Sequence, residues 1–431
     1  MNYRQSLDYL NTFQFHGYKL GLERMEAALS YFGNPHKELR FIHVAGTNGK
    51  GSVCATLSAI LNQQGYKVGL YTSPHLVRLN ERFRFCENEI SDDDVASLLS
   101  RIREIIEKGY DLSYFEITTL MAILWFYDKA CDFCVLETGL GGRLDATNII
   151  SSLATGITSI SIDHKKYLGS DIKSIAFEKA GIIKPAVPVI SGVMSSDARD
   201  IIHNRAIELD ADIKQLGRDF DIVFENGFYI YTGWGLTIKD IEYKLKGIHQ
   251  GQNLAIALAI IEKLKENHIN IPEDAIKSGC ENVNWQCRCE VLQGRFTVIL
   301  DGAHNMDGAK ALKEFLLSKQ QDFADNQKFL LWGCSDDGFD EKDKGKDIEL
   351  MLMEILPFFD RIFITEPPDT RYPVSIERWK AALHGFDIDY EYNYENIIRK
   401  IIKTIPQNGL LCVSGSLYLV GKTRAFLIKH I

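Results

Sequence analysis

No apolar stretch of this chain approaches the roughly 20 residues that a membrane-spanning helix requires, which argues against a helical membrane protein. Also missing is a secretory signal: the start, M-N-Y-R-Q-S-L-D-Y-L-N, has neither a basic head nor an apolar core. The cytoplasm is therefore the compartment expected. Positive charge is not in surplus. Lysine and arginine total 49 against 58 aspartates and glutamates, a net charge of −9, which argues against the basic face of a nucleic-acid binder. An anionic substrate would have to be drawn in by a local basic patch. Nine cysteines, an odd number, are scattered along the chain, which suits reduced thiols. Cys131 with Cys134 and Cys287 with Cys289 can be combined on paper into a zinc site, but the first pair enters the apolar run F-C-V-L, as core thiols do. There is no internal repeat and no low-complexity tract.

What is present is an ordinary globular composition, 45% hydrophobic and 25% charged. At 431 residues the chain is too long for one compact core, and two domains are expected. The organising stretch is F-I-H-V-A-G-T-N-G-K-G-S at residues 41–52. Phe41 to Val44 read as an apolar strand, Gly46 and Gly49 permit a tight turn, and Lys50 and Ser52 open a helix over residues 53–61. Strand, glycine turn and helix N-terminus make an anion site, with backbone N–H groups and the helix dipole aimed at a phosphate. The pattern G-x-x-x-x-G-K-[ST] is met in part only: its first glycine would fall on Val44, and Gly51 takes the hydroxyl position.

Helical patterns cover residues 3–13, 22–32, 92–108, 115–129, 170–180 and 250–265. Strands are expected at 67–72, 133–136, 154–162 and 187–191, the third ending in Asp163-His164. Strands alternating with helices at this spacing predict an α/β fold with a parallel sheet. Residues 219–247 break that rhythm with an Asn-Gly turn between alternating strands, a small antiparallel hairpin appended to the main sheet. A second, smaller α/β unit follows: strand 296–300, the loop D-G-A-H-N, helix 307–319, then strands near 329–332, 361–365 and 410–413. The boundary is placed between residues 285 and 286, giving a phosphate-loop domain, 1–285, and a second domain, 286–431.

Polar groups gather at the carboxyl ends of the first-domain strands: Lys50 and Ser52, then Ser73, Glu137 and His164. In a parallel sheet these ends share one edge, where ligands bind. A hydroxyl, a carboxylate and an imidazole there can hold Mg²⁺, which keeps waters and substrate oxygens in its shell. Taken singly, Ser73 is a turn former, Glu137 a cap and His164 a loop histidine. Their shared place beside a phosphate loop favours metal and nucleotide.

Seven motifs then occur in order: G-T-N-G-K-G-S, T-S-P-H-L, L-E-T-G-L-G-G-R-L-D-A-T-N, D-H-K-K-Y-L-G, E-K-A-G-I-I-K-P, D-G-A-H-N and G-S-L-Y-L-V-G. Together they closely resemble the folylpolyglutamate synthase/dihydrofolate synthase family of the Mur ligase superfamily, over essentially the whole chain. The resemblance implies an ATP-dependent amide ligase that phosphorylates a pterin carboxylate and lets glutamate attack the acyl phosphate. It implies that residues 1–285 form an ATP-binding P-loop domain and residues 286–431 a Rossmann-like domain. It implies ATP and Mg²⁺ as cofactors and small-molecule substrates; no nucleic-acid or membrane partner is expected, and a monomer is expected. Carried over by motif, Thr47, Asn48, Gly49, Lys50, Gly51 and Ser52 would cradle the phosphates. Ser73, Glu137 and His164 would bind Mg²⁺, and Asn253 would contact adenine. Arg288, Asp301 and His304 would reach the nucleotide from the second domain. Tyr18, Lys19, Leu20, Ser113, Leu144, Asp145 and Ala146 would line the pterin site. Lys179 matches a lysine that the family carbamylates.

The chain departs from the family at Cys287, where glycine or alanine is usual, at Met306, where proline is usual, and in a charged insertion over residues 336–346. A Mur-type ligase acting on another carboxylate is the alternative enzyme reading; a silent nucleotide-binding regulator is the alternative from another class. The matches at Leu20–Arg24 and Gly141–Asn148 weigh against the first. Intact Lys50, Glu137, His164 and Lys179 weigh against the second.

Overall fold

The computed structural model describes residues 1–13, 21–336, 348–370 and 372–430. The strand Phe41–Ala45 is buried at all five positions, flanked in parallel by Phe133–Glu137 on one side and Ser152–Ile157 on the other. Burial on both faces is what its unbroken run of apolar side chains around His43 reflects. The full sheet has eight strands, in the order Asn88–Glu89, Phe83–Phe85, Val68–Tyr71, Phe133–Glu137, Phe41–Ala45, Ser152–Ile157, Val189–Ser191 and Ile213–Gln215. The last six are parallel; the first two form an antiparallel hairpin at the edge, so the sheet is mixed.

The helix Lys50–Gln63 follows the phosphate loop and is buried at every position from Gly51 to Leu61. It lies in the core with the helix Ile248–Glu266 and against Glu273–Asn282. That all-round burial explains why alanine, leucine, isoleucine and small polar residues replace the usual charged outer face. On the other side, Tyr114–Asp128 starts at Ser113, whose side chain and that of Glu116 satisfy each other's backbone N–H groups. Arg24 then locks Glu116 at 2.9 Å.

Two expectations need correction. The strand expected over residues 154–162 ends at Ile157, and the next residues leave the sheet to bond the phosphate loop. The antiparallel element is not appended to the main sheet: Asp221–Glu225, Phe228–Thr232 and Thr237–Ile241 form a three-stranded sheet of their own. Its Asn226-Gly227 turn has φ of 52° and 90°, as the tight hairpin requires. The buried Tyr231, Ile238 and Ile241 join it to the first core.

The second sheet runs Glu290–Gln293, Thr297–Leu300, Leu410–Ser414, Lys328–Trp332, Arg361–Ile364 and Ile388–Tyr390, all parallel but for the first edge strand. Trp285 packs on the first core, whereas Cys287 lies in a core of the second sheet; we propose the division between residues 285 and 286 on that ground. All nine cysteines are free thiols and all but Cys86 are buried, and among the described residues no three or more histidine, cysteine, aspartate or glutamate side chains come together as a metal-holding cluster. Among the described residues no helix is long and apolar enough to cross a membrane.

Candidate active site

A cleft of about 1330 Å³ lies where the carboxyl ends of the first sheet face the second domain. Every expected site residue that the structure describes lines it, from Thr47 to Ser52, Ser73, Ser113, Glu137, Leu144 to Ala146, His164, Lys179, Asn253, Arg288, Asp301 and His304. Tyr18, Lys19 and Leu20 lie outside the described residues, as do residues 337–346 of the expected insertion.

The phosphate loop is fixed by the segment that leaves the sheet after Ile157. Thr47 N–H donates to Ser159 O at 2.7 Å, Asn48 N–H donates to the Ser159 hydroxyl at 3.0 Å, and the Thr158 hydroxyl donates to Asn48 O at 2.6 Å. Gly46, at φ 153°, leaves no room for a Cβ, which would strike the Thr158 hydroxyl. Gly49, at φ 87°, is closed off by the Asn253 carboxamide, and a Cβ on Gly51 would meet the Trp285 ring at 2.7 Å. Backbone approach, not sequence alone, demands glycine at these places.

Two lysines converge on one carbonyl. Lys50 Nζ donates to Gly46 O and Thr47 O, each at 3.1 Å, and Lys179 Nζ donates to Gly46 O at 2.7 Å. Lys179 is buried, and desolvation, reinforced by the charge of Lys50, lowers its pKa to about 7. Glu137 Oε1 sits 4.0 Å from Lys50 Nζ, and its Oε2 accepts from Ser73 N–H at 3.1 Å. Burial raises the Glu137 pKa, against the pull of Lys50. A desolvated carboxylate beside an anion-binding loop is relieved by a cation, and Ser73 and His164 line the same cleft. Mg²⁺ needs few protein ligands, so these residues fit it.

Asp145 organises the loop expected to meet the pterin. Its carboxylate accepts from Gly139 N–H, Leu140 N–H, Thr147 N–H and the Thr147 hydroxyl at 2.5–3.0 Å. Asn253, expected at adenine, pairs with Gln250 Oε1 at 3.0 Å and buttresses Gly49. From the second domain, Asp301 accepts from Cys289 N–H at 2.8 Å and Ala303 N–H at 2.9 Å. His304 Nδ1 meets Gly302 O at 2.8 Å, and its Nε2 lies 3.9 Å from Asp163 Oδ2. Arg288 stands between Cys287 and Cys289, whose φ angles are 59° and 47°; the departure at Cys287 is thus a left-handed residue with a side chain.

Sequence reasoning missed three groups. Arg82 is buried in the cleft wall, its Nε donating to His75 Nδ1 at 2.9 Å, and burial with this neighbour lowers the His75 pKa to about 3. R-L-N-E-R-F-R-F offers three arginines and no periodicity to single one out. Asn305 lies inside a motif already noted, but only the structure shows its reach.

The chain is 33% identical over 422 residues to the dihydrofolate synthase/folylpolyglutamate synthase of Bacillus subtilis, an alignment covering 95% of each chain. It belongs to the folylpolyglutamate synthase/dihydrofolate synthase family. Members of this Mur ligase superfamily branch share both domains with it. The structure of Escherichia coli FolC in complex with DHPP and ADP aligns at a TM-score of 0.87 and 29% identity, covering 100% of this chain and 98% of that one. A bifunctional folylpolyglutamate synthase/dihydrofolate synthase from Yersinia pestis, complexed with AMPPNP and Mn ion, aligns at a TM-score of 0.86 and 28% identity over 99% and 98%. No family-wide sequence profile matches the chain.

Proposed function

We propose that this protein is an ATP-dependent ligase that joins L-glutamate to the carboxylate of a folate or of dihydropteroate. The observation that carries the reading is the convergence of Lys50, Lys179 and Glu137 on one phosphate loop, opposite Arg288, Asp301 and His304 of the second domain. Lys50, turned back on Gly46 and Thr47, is within its own side-chain reach of phosphates seated on the loop N–H groups. Thr47 to Ser52 cradle those phosphates, and Arg288 and His304 meet them from across the cleft. The γ-phosphoryl group passes to the substrate carboxylate, and the glutamate amine then displaces phosphate to leave an amide. Glu137, with Ser73 and His164, is the place for Mg²⁺, which when bound spreads the charge of the transferring phosphoryl group. Closure of the cleft keeps water from the acyl phosphate.

Lys179 has a second role in this reading. Its depressed pKa leaves a neutral amine in reach near neutrality. That amine can add to CO₂ and release a proton, replacing an ammonium with an anionic carbamate beside the cation site. Ser113 and Leu144 to Ala146 supply the pterin wall, with Tyr18, Lys19 and Leu20 by motif. We place the protein in the cytoplasm as a monomer. The deciding experiment is glutamate-dependent phosphate release from ATP, with dihydropteroate and tetrahydrofolate compared as acceptors. Stimulation by either supports the reading and names the acceptor; stimulation by neither overturns it.

A further inference from the structure

One side chain ties together three loops that sequence order keeps far apart. Asn305 Nδ2 donates to Asn48 Oδ1 at 3.0 Å and to Asp163 Oδ2 at 3.1 Å. In return, Asn48 Nδ2 donates to Asn305 Oδ1 at 3.1 Å. The same oxygen caps the helix Met306–Ser318 by accepting from Gly308 N–H at 2.9 Å. Asn305 is buried, and its bond to Asp163 lies wholly away from competing water, where an unpaired partner is costly. Asn48 belongs to the phosphate loop, Asp163 precedes His164, and Asn305 follows His304. The amide therefore joins both ligand-facing loops of the first domain to the second domain at one point.

The geometry points to Asn305 as a positioning residue: we propose that its carboxamide latches the second domain onto the phosphate loop, so that His304, Asp301 and Arg288 are held over the loop only while Asn48 and Asp163 stand in this arrangement. A carboxamide is suited to this because it both donates and accepts: the oxygen serves Asn48 and the helix cap, and the nitrogen serves Asn48 and Asp163. Asn48 is held through its own backbone by Ser159 and Thr158, so a loop displaced by its ligand would carry the latch with it. The kinetic consequence rests on the proposed ligase reading; the latch itself does not.

Asn305→Asp separates the latch from the helix cap. Aspartate caps a helix as well as asparagine, but it sets an acceptor against the Asp163 carboxylate where a donor stood. The expected result is a melting temperature within a few degrees of the parent, with faster hydrogen exchange at residues 46–52 and 158–164. A kcat for glutamate-dependent ATP turnover lowered ten- to a hundredfold is expected with it. The complementary change Asp163→Asn, made in the Asn305→Asp background, restores a donor–acceptor pair and should slow exchange again. Asn48→Ala and Asn305→Ala should combine to give no more loss than the larger single loss. Unchanged exchange in Asn305→Asp, no recovery in the paired variant, or fully additive losses would each overturn the proposal. If the parent protein shows no glutamate-dependent turnover, the ligase reading falls and the exchange measurements still decide the latch.

Discussion

On the first-domain side of the cleft, the backbone N–H groups of Thr47 and Asn48 and the Lys50 ammonium bond to backbone or hydroxyl groups of their own domain, and neighbouring groups press close on Gly46, Gly49 and Gly51. On the second-domain side, Arg288 projects from a turn whose flanking residues, Cys287 and Cys289, both hold positive φ while carrying side chains. One wall relies on backbone that only glycine tolerates. The other holds a strained turn in place by packing, with both thiols buried in the surrounding cores. A wall built on backbone shape resists change at its glycines; a wall built on packing tolerates change wherever the strain is removed together with the side chain.

The largest break in this comparison should come from charge. Lys50→Ala should lower glutamate-dependent turnover by about 10³-fold or more, since phosphoryl transfer depends on positioned charge, while the melting curve stays that of the parent. Near-parental kcat in a well-folded variant would make the loop purely structural. Next comes Gly46→Ala, whose Cβ meets the Thr158 hydroxyl at a positive φ. Roughly 3 kcal/mol of stability should be lost by urea denaturation. Gly302→Ala in the second domain meets the flexible ends of Leu417 and Arg288 and should lose only about 1 kcal/mol. Equal losses would erase the contrast between the walls.

Lys179 sharpens the comparison through pH. Its pKa falls from 10.5 to about 7 in the folded chain because burial disfavours the charged form. Between those values the unfolded chain binds more protons than the folded one, so stability rises with pH across that window. In CO₂-free buffer the gain from pH 7 to pH 9 should be about 2 kcal/mol, and Lys179→Met should flatten it. The smallest effect is expected at Cys287. Cys287→Gly relieves the left-handed backbone but loses a buried thiol, for a net change within about 1 kcal/mol; Cys287→Ala loses the thiol without relief and should fall about 1 kcal/mol below it. A glycine variant less stable than the alanine variant would show that φ is not the controlling cost.

The same contrast explains what could be read from the sequence. The parallel strands were legible because burial on both faces leaves mostly apolar runs such as Phe41–Ala45 and Phe133–Glu137. The phosphate loop was legible because its backbone shape admits glycine alone. The stretch after Ile157 was misread as strand because T-S-I-S-I alternates like one, although its hydroxyls serve the phosphate loop. The hairpin Phe83–Phe85 with Asn88–Glu89 escaped notice because Cys86 and Glu87, not Asn-Gly, occupy its positive-φ turn. Asn305 left no local signal at all, since the partners that give it meaning lie 257 and 142 residues away.

Trp285 has a consequence of a different kind. Its indole ring covers Gly51 at the start of the phosphate-loop helix, and the Arg84 guanidinium lies 5.3 Å from its centroid. Trp332 and Trp379 are fully buried in the second domain, far along the chain from that contact. The protein thus carries a native fluorophore at the domain boundary, pressed against the loop and faced by a guanidinium. Trp125 and Trp234 lie elsewhere in the first domain, so in a variant whose other four tryptophans are phenylalanine, emission from Trp285 alone would be an unlabelled optical probe of what happens at that loop.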